Sequence, residues 1–298
     1  MAGLNQEIWT EVVVRQFRTF EEAVYLDTIP DYSTYVTQSK KGKNESIHMS
    51  DIGADPEVLI NNTTYPIGTM QQVDGDIVIK LDKLETKNVS VSDDEIQYIS
   101  YDKIGEVTKN HVSALDNTKH QKAIHSMAPA TNTANTPIIQ ATGPDDGTGR
   151  KRLIKKDIVT LKDKFDAAKI PLKDRHLVLS STHYNDLLHE DQKFADHLYD
   201  AKTGKVMPYM NFMIWQNLEN PYFHKTNLTK LAFGAVPTPD HTIASVCFYA
   251  PDMFKAKGST KVYQRKAEDD PENRENTAGM RTYYIVAPRK QRGMGAII

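Results

Sequence analysis

The stretch from Ser92 to Met127 constrains the chain more than any other. Ser92 is followed three residues later by Glu95, the spacing of a capping box, in which serine and glutamate side chains each satisfy an amide of the first helical turn. Asp93 and Asp94 stand where the positive end of a helix dipole favours carboxylates. Apolar residues recur at Ile96, Ile99, Ile104, Val107, Val112 and Leu115, close to the spacing of one helix face. No proline intervenes before Pro129, and Gly105 is the one weak internal position. Lys119, His120, Lys122 and His125 crowd the end where cations suit the dipole. The pattern predicts a single helix over Ser92 to about Met127, a rod of roughly 50 Å at 1.5 Å per residue. Helices in globular domains average about a third of that length, so the rod asks for a purpose. A long core helix of an α/β enzyme would give the same periodicity.

The rest of the chain bounds the class. Its 298 residues suffice for a full core and one or two domains. Hydrophobic residues make up 39% and charged residues 26%, the composition of a water-soluble chain. A formal net charge of −2 supplies no global basic field for gripping nucleic acid. With Cys247 as its one cysteine, the chain can form neither an internal disulfide nor a multi-cysteine metal site. Cys247 lies in the apolar run Ala244 to Ala250 and reads as a small core residue. The first residues lack the basic-then-apolar layout of a signal peptide, and no apolar run reaches membrane-spanning length. A reducing cytoplasm is the expected setting, with no membrane partner.

Taken in order, residues 5 to 26 read as an amphipathic helix with Ile8, Val12, Val13, Phe20 and Val24 on its apolar side. Asp31 to Lys43 turns polar. Such a beginning fits an arm that packs on something else, and equally a plain N-terminal helix. Ile47 to Val91 changes to β character: Ile77, Ile79 and Leu81 alternate with Val78, Lys80 and Asp82, and Val89 and Val91 continue the period of two. Between the outgoing and returning halves lies Asn61 to Gly68, rich in turn formers, with Tyr65, Pro66 and Ile67 at the tip. An isolated two-stranded excursion is marginal in water and needs a partner, either in the same chain or in a neighbouring copy. Ala128 to Gly149 has little hydrophobic pattern and reads as a boundary or mobile loop. Ile154 to Ile170 forms a second helix stopped by Pro171, His176 to Leu179 a buried strand, and His183 to Leu188 a helix with serine at its N-cap. Short apolar runs follow at Phe212 to Trp215, Leu231 to Val236 and Ile243 to Tyr249. Lys261 to Arg265 and Arg281 to Ala287 read as closing strands joined by the acidic stretch Glu268 to Asn276. The order fits a mixed α and β domain.

No chemistry emerges from this order. His183, His189 and His197 stand near Glu190, Asp191 and Asp196, but without the His-Glu-x-x-His spacing of a zinc helix, and they read as solvated helix faces. No Gly-x-Ser-x-Gly elbow occurs. Gly147-Thr148-Gly149 before Arg150 lacks the glycine spacing and terminal Lys-Ser/Thr of a phosphate loop. The carboxylate pairs Asp93-Asp94, Asp145-Asp146 and Asp269-Asp270 fall at caps and turns. The expectation is a protein with no catalytic residue, cofactor or metal.

As an order of elements, nearly the whole chain resembles the major capsid proteins of tailed bacteriophages with the Hong Kong 97-type fold. The stretches that carry the likeness are Leu81-Asp82-Lys83-Leu84-Glu85-Thr86-Lys87, Asp174-Arg175-His176-Leu177-Val178-Leu179-Ser180 leading to Tyr184, and the ending Ala287-Pro288-Arg289 with Gly293-Met294-Gly295-Ala296-Ile297-Ile298. The resemblance implies an α+β fold: an N-terminal arm at 1–46, an E-loop hairpin at 47–91, a P-domain spine helix with linker at 92–145, an A-domain at 146–257, and return strands of the P-domain at 258–298. It also implies pentamers and hexamers of the chain itself, closing an icosahedral shell through contacts repeated around rings. That shell would enclose double-stranded DNA without reading its sequence. A portal protein and a separate scaffolding protein would be partners, the scaffold being separate because only about 46 residues precede the hairpin. Assembly would take place in the bacterial host's cytoplasm. Expected intersubunit contacts are Ile8, Val12 and Phe20 on the arm, Tyr65, Pro66 and Ile67 at the hairpin tip, and Lys80, Lys83 and Lys87 on its return. Some family members crosslink through lysine and asparagine; Lys80, Lys83 and Lys87 stand in the corresponding region, and that chemistry is not carried over to them. Two alternatives share parts of this pattern: an encapsulin-like nanocompartment shell, and a soluble α/β enzyme with a dispersed site.

Overall fold

Two long antiparallel strands frame one half of the molecule in the computed structural model, which describes residues 23–37, 45–51, 63, 66, 75–92, 103–194, 196, 198, 208–270 and 272–298. In chain order the first strands are β1 (Val36–Thr37), β2 (Ser46–Asp51), β3 (Gly75–Lys80), β4 (Asp82–Glu85) and β5 (Val89–Ser92). Helix α1 (Lys103–Met127) and strand β6 (Ile138–Ile139) follow, then α2 (Lys155–Ala167), β7 (Arg175–Ser180) and α3 (Ser181–Glu190). The second half adds β8 (Pro208–Tyr209), β9 (Phe212–Asn217), β10 (Tyr222–His224), β11 (His241–Ile243) and β12 (Ser245–Tyr249). The long pair β13 (Met253–Arg265) and β14 (Glu275–Pro288) and the closing β15 (Met294–Ile297) complete the chain.

Strand β14 pairs with β13 along one edge and, along the other, with β4 at Arg281–Tyr284 and with β5 at Glu275–Ala278. Val112 and Leu115 of α1 bury against Val262, Met280 and Leu84 of this sheet. A second, six-stranded sheet runs β6-β15-β12-β7-β9-β8. Period-two alternation sorts its two faces. Leu177, Leu179, Cys247 and Ile297 point to one face, where Leu161, Phe165 and Leu187 of α2 and α3 cover them. Gly295 lets α2 approach closely, since a Cβ there would stand 2.8 Å from the Phe165 ring. Val178, Val246, Phe248 and Ala296 point to the other face, against Ala123, Ile124 and Met127 of α1 and against Tyr25 and Leu26. One helix therefore packs its earlier turns on the four-stranded sheet and its last turns on the six-stranded one, which is the purpose that its length serves.

Several expectations change in the structure. The described helix starts at Lys103; Ser92 ends β5 opposite Glu275, and Asp93 to Asp102, with Glu95, Ile96 and Ile99, lie outside the described residues. The buried stripe of α1 also takes in Thr108, His111 and Asp116, polar residues that a search for apolar periodicity passes over. The hairpin is shorter than 47–91 at its base. β2 pairs with β3 from Ser46↔Lys80 to Asp51↔Gly75, whereas β4 and β5 leave it for β14. Local alternation marks a strand without saying which neighbour it joins. Val24, expected on an apolar helix face, is exposed in a 3₁₀ turn (Val24–Thr28), while Tyr25 and Leu26 are buried. Ala128 to Gly149, read as a boundary or mobile loop, is tied to the six-stranded sheet: Asn132 Oδ1 accepts from the Ile138 amide, and Ile138 joins β15 in parallel. The closing strands are 13 and 14 residues long, and β13 runs through the expected boundary at 257/258 with a bulge between Lys257 and Thr260. The last strand, β15, joins the six-stranded sheet beside β12.

Candidate assembly surface

Potential catalytic side chains in the interior are spent on structure. His183, expected on a solvated face, is 1% exposed, with Nδ1 2.7 Å from Ser245 Oγ, which in turn accepts from the Ser180 amide. Ser180 Oγ caps α3 by accepting from the His183 amide. Burial lowers the imidazole pKa to about 4, so it stays neutral in place. His189 is exposed, and His197 lies outside the described residues. Cys247 is fully buried, and that burial pushes its thiol pKa well up, the opposite of a nucleophile's environment. Asp157 spends both carboxylate oxygens on Thr142 and on the Ile154 amide at the start of α2. Arg150 forks onto Asp186 at 2.7 and 2.9 Å. Among the described residues no three His, Cys, Asp or Glu side chains are grouped to hold a metal ion.

The surface is more informative. The hairpin β2–β3 is rooted by Ile47 and Leu81 against Phe254, Ala256 and Tyr283. Beside that root Glu45 is buried, accepting from the Ser259 amide at 2.9 Å and from Ser259 Oγ at 2.5 Å inside the β13 bulge. Gly258 is needed there, because a Cβ would collide with the Glu45 carboxylate. Beyond the root the shaft emerges: Val78 is 51% exposed and Lys80 is exposed. Pro66 lies in an exposed bend, whereas Tyr65 and Ile67 are outside the described residues, as are Ile8, Val12 and Phe20 of the arm. Lys83 pairs with Glu85 at 2.8 Å on an exposed rim, and Lys87 is exposed beside it. These two lysines edge an apolar groove of about 560 Å³ between the β4–β5 edge and α1.

Sequence reasoning missed a second apolar surface. Leu218 (76% exposed), Val236 (84%), Phe233 and Tyr222 stand out around the loops that carry β10 and β11. Nothing in a single sequence separates Phe233 and Val236 from core residues, because Leu231 to Val236 reads as a short apolar run like those of the core strands. Underneath, Lys230 Nζ donates to the carbonyls of His125 and Ala128 at 2.7 and 2.6 Å, closing the C-terminal end of α1. Burial lowers the Lys230 pKa to about 8.

A rooted hairpin whose shaft projects, apolar side chains displayed on loops and a brace helix joining two sheets define a protein built to associate. The comparisons give the class: the chain belongs to the phage capsid protein family, whose model matches residues 74–297. Solved structures of similar fold include the capsid of the cyanophage P-SCSP1u, 15% identical with a TM-score of 0.57, the match covering 91% of this chain and 86% of that one. A Mycobacterium phage Che8 structure is 12% identical with a TM-score of 0.59, covering 93% of each chain. A virus-like particle from Pyrococcus furiosus is 11% identical with a TM-score of 0.57, covering 99% of each. No curated protein sequence matches. The fold is of the Hong Kong 97 type, mixed α and β as expected, and the molecule is a structural major capsid protein, a component of the virion shell.

Proposed function

We propose that copies of this chain close an icosahedral head shell around double-stranded DNA, in pentamers and hexamers, without catalysing a reaction. The observation that carries this reading is the hairpin: rooted by Ile47, Leu81 and Glu45, it leaves Val78 in water. Contact with another molecule would bury that valine, a gain that counts towards association and not towards folding. In this reading the six-stranded sheet with α2 and α3 serves as the A-domain, the long ribbon with α1 as the P-domain, and residues 1–46 as the arm. Portal protein and a separate scaffold act as partners, and the host cytoplasm is the place of assembly. The family match to phage capsid proteins supports a head shell over a cargo compartment. Imaging the purified recombinant protein by electron microscopy, alone and with its phage's scaffold, tests the reading. Closed shells of uniform size are expected; a dispersed small oligomer under both conditions overturns it.

A further inference from the structure

On its α1 side the six-stranded sheet loses its cover from one end of a single row to the other. Phe248 of β12 stands opposite His176 of β7, His176 opposite Met213 of β9, and Met213 opposite Pro208 of β8. Cross-strand partners point to the same face, so these four side chains form one line across the sheet. Phe248 and His176 are buried, Met213 is half-buried and Pro208 is exposed. Trp215, two residues beyond Met213 on the same face, is also half-buried, and the His176 ring stacks between it and Phe248.

The chain itself reaches the covered end of this row. Tyr25 is buried with its ring against Phe248, and Ala23, the first described residue, is half-buried on the same cluster. Another 22 residues precede Ala23. Val13, Phe17 and Phe20 fall there at positions i, i+4 and i+7, the spacing of one helix face. From Phe248 to Pro208 the row crosses three strand spacings, roughly 15 Å at about 4.8 Å each. Residues 13–22 as a helix span about the same, at roughly 1.5 Å per residue.

We propose that residues 13–22 lie across the uncovered part of this row on their own subunit, with Phe17 and Phe20 over Met213 and Trp215. The proposal goes beyond the shell reading, because it concerns the single subunit. It takes Phe20 out of the set expected between subunits and leaves Ile8 and Val12 beyond the seat.

Tryptophan fluorescence of the unassembled full-length subunit is the first test. The chain holds two tryptophans, so Trp9→Phe leaves Trp215 as the reporter. In that background, Phe17→Ser with Phe20→Ser should shift Trp215 emission to the red and raise its acrylamide quenching constant about twofold or more, as uncovering a ring face gives. Quenching that stays unchanged overturns the proposal. A cysteine pair gives a second readout that leaves Phe17 in place. Phe20→Cys with Met213→Cys in one chain should yield, under a mild oxidant, a disulfide that runs as a monomer on a non-reducing gel. The two single variants mixed together should give no dimer. A cysteine pair that stays reduced overturns the seating, and so does a dimer in the mixture, the mark of an arm seated on another copy. Buried Cys247 does not compete. Neither measurement depends on whether particles form, so failure here and failure of the shell reading are distinct.

Discussion

Single buried polar side chains hold the six-stranded half together. Arg175 is fully buried; its Nε and Nη2 donate to the carbonyls of Pro171 and Ile170 at 2.9 and 2.6 Å, and Nη2 lies 2.7 Å from Asp166 Oδ1. The guanidinium also lies over the Phe165 and Phe212 rings. Replacing it with methionine keeps the apolar stem but removes the guanidinium and leaves two carbonyls unpaired, at about 1–3 kcal/mol each. Arg175→Met should therefore lower unfolding free energy by about 3 kcal/mol in urea titration of the unassembled subunit, and Arg175→Lys should restore little of it, because a point charge cannot serve the fork. Buried histidines make the fold acid-sensitive, with the large shifts at His176 and His183. His176 accepts from Trp215 Nε1 at Nδ1 and stacks between Trp215 and Phe248, and burial lowers its pKa to about 4, as it does for His183. Both folded values lie below the ordinary 6.5, so the neutral forms stabilise the fold fully above pH 6.5, and that stability is lost as pH falls through 6.5 towards 4. The shift is worth on the order of 3 kcal/mol for each ring. Urea midpoints measured from pH 7 down to 4 should fall, and His176→Gln should make the fall shallower. An unchanged slope in that variant would place the acid sensitivity elsewhere.

At the scale of elements, helix α1 is the part on which both sheets depend. Asn117 is exposed in the middle of it, so proline there removes a helix hydrogen bond without touching the core. Asn117→Pro should cost about 3 kcal/mol or more, and Asn117→Ala should be neutral or slightly stabilising. If the proline variant melts normally, α1 does not brace the subunit. The sequence made this helix legible because its apolar spacing and the absence of proline are local properties. Strand β7, helices α2 and α3 and the core position of Cys247 were legible for the same reason. Thr108, His111 and Asp116 were not, since their burial comes from the sheet they face, and His183 was not, since its partner Ser245 is distant in sequence. The change of partner after Lys80 was equally hidden. An alternating strand reads the same whether it pairs with β2 or with β14. The candidate surface was legible as residues and illegible as a surface. Lys83 and Lys87 could be named, but the groove they edge exists only once α1 lies alongside.

For the whole molecule, the question is where the hairpin's energy goes. Its root belongs to the folded subunit: Ile47 and Leu81 are buried against β13 and β14, and Glu45 is held in the bulge. Of its outer part, the described Thr63 and Pro66 are exposed. A tyrosine or isoleucine at the tip contributes on the order of 1.5–3 kcal/mol when fully buried, and only a neighbour can bury it if the shaft points away from its own subunit. That energy then counts towards association and hardly at all towards folding. Replacing residues 52–74 by a short Gly-Ser link, with Asp51 and Gly75 kept as the joined ends, should leave the unassembled subunit's melting temperature within a few degrees of wild type. The same change should abolish or deform the particles. A hairpin folded back on its own domain predicts the reverse, a subunit that melts early and shells that still close. Calorimetry of the subunit and micrographs of the assembly reaction, made on the same preparation, separate the two. A large fall in melting temperature with intact shells would mean that the hairpin belongs to the subunit's own fold.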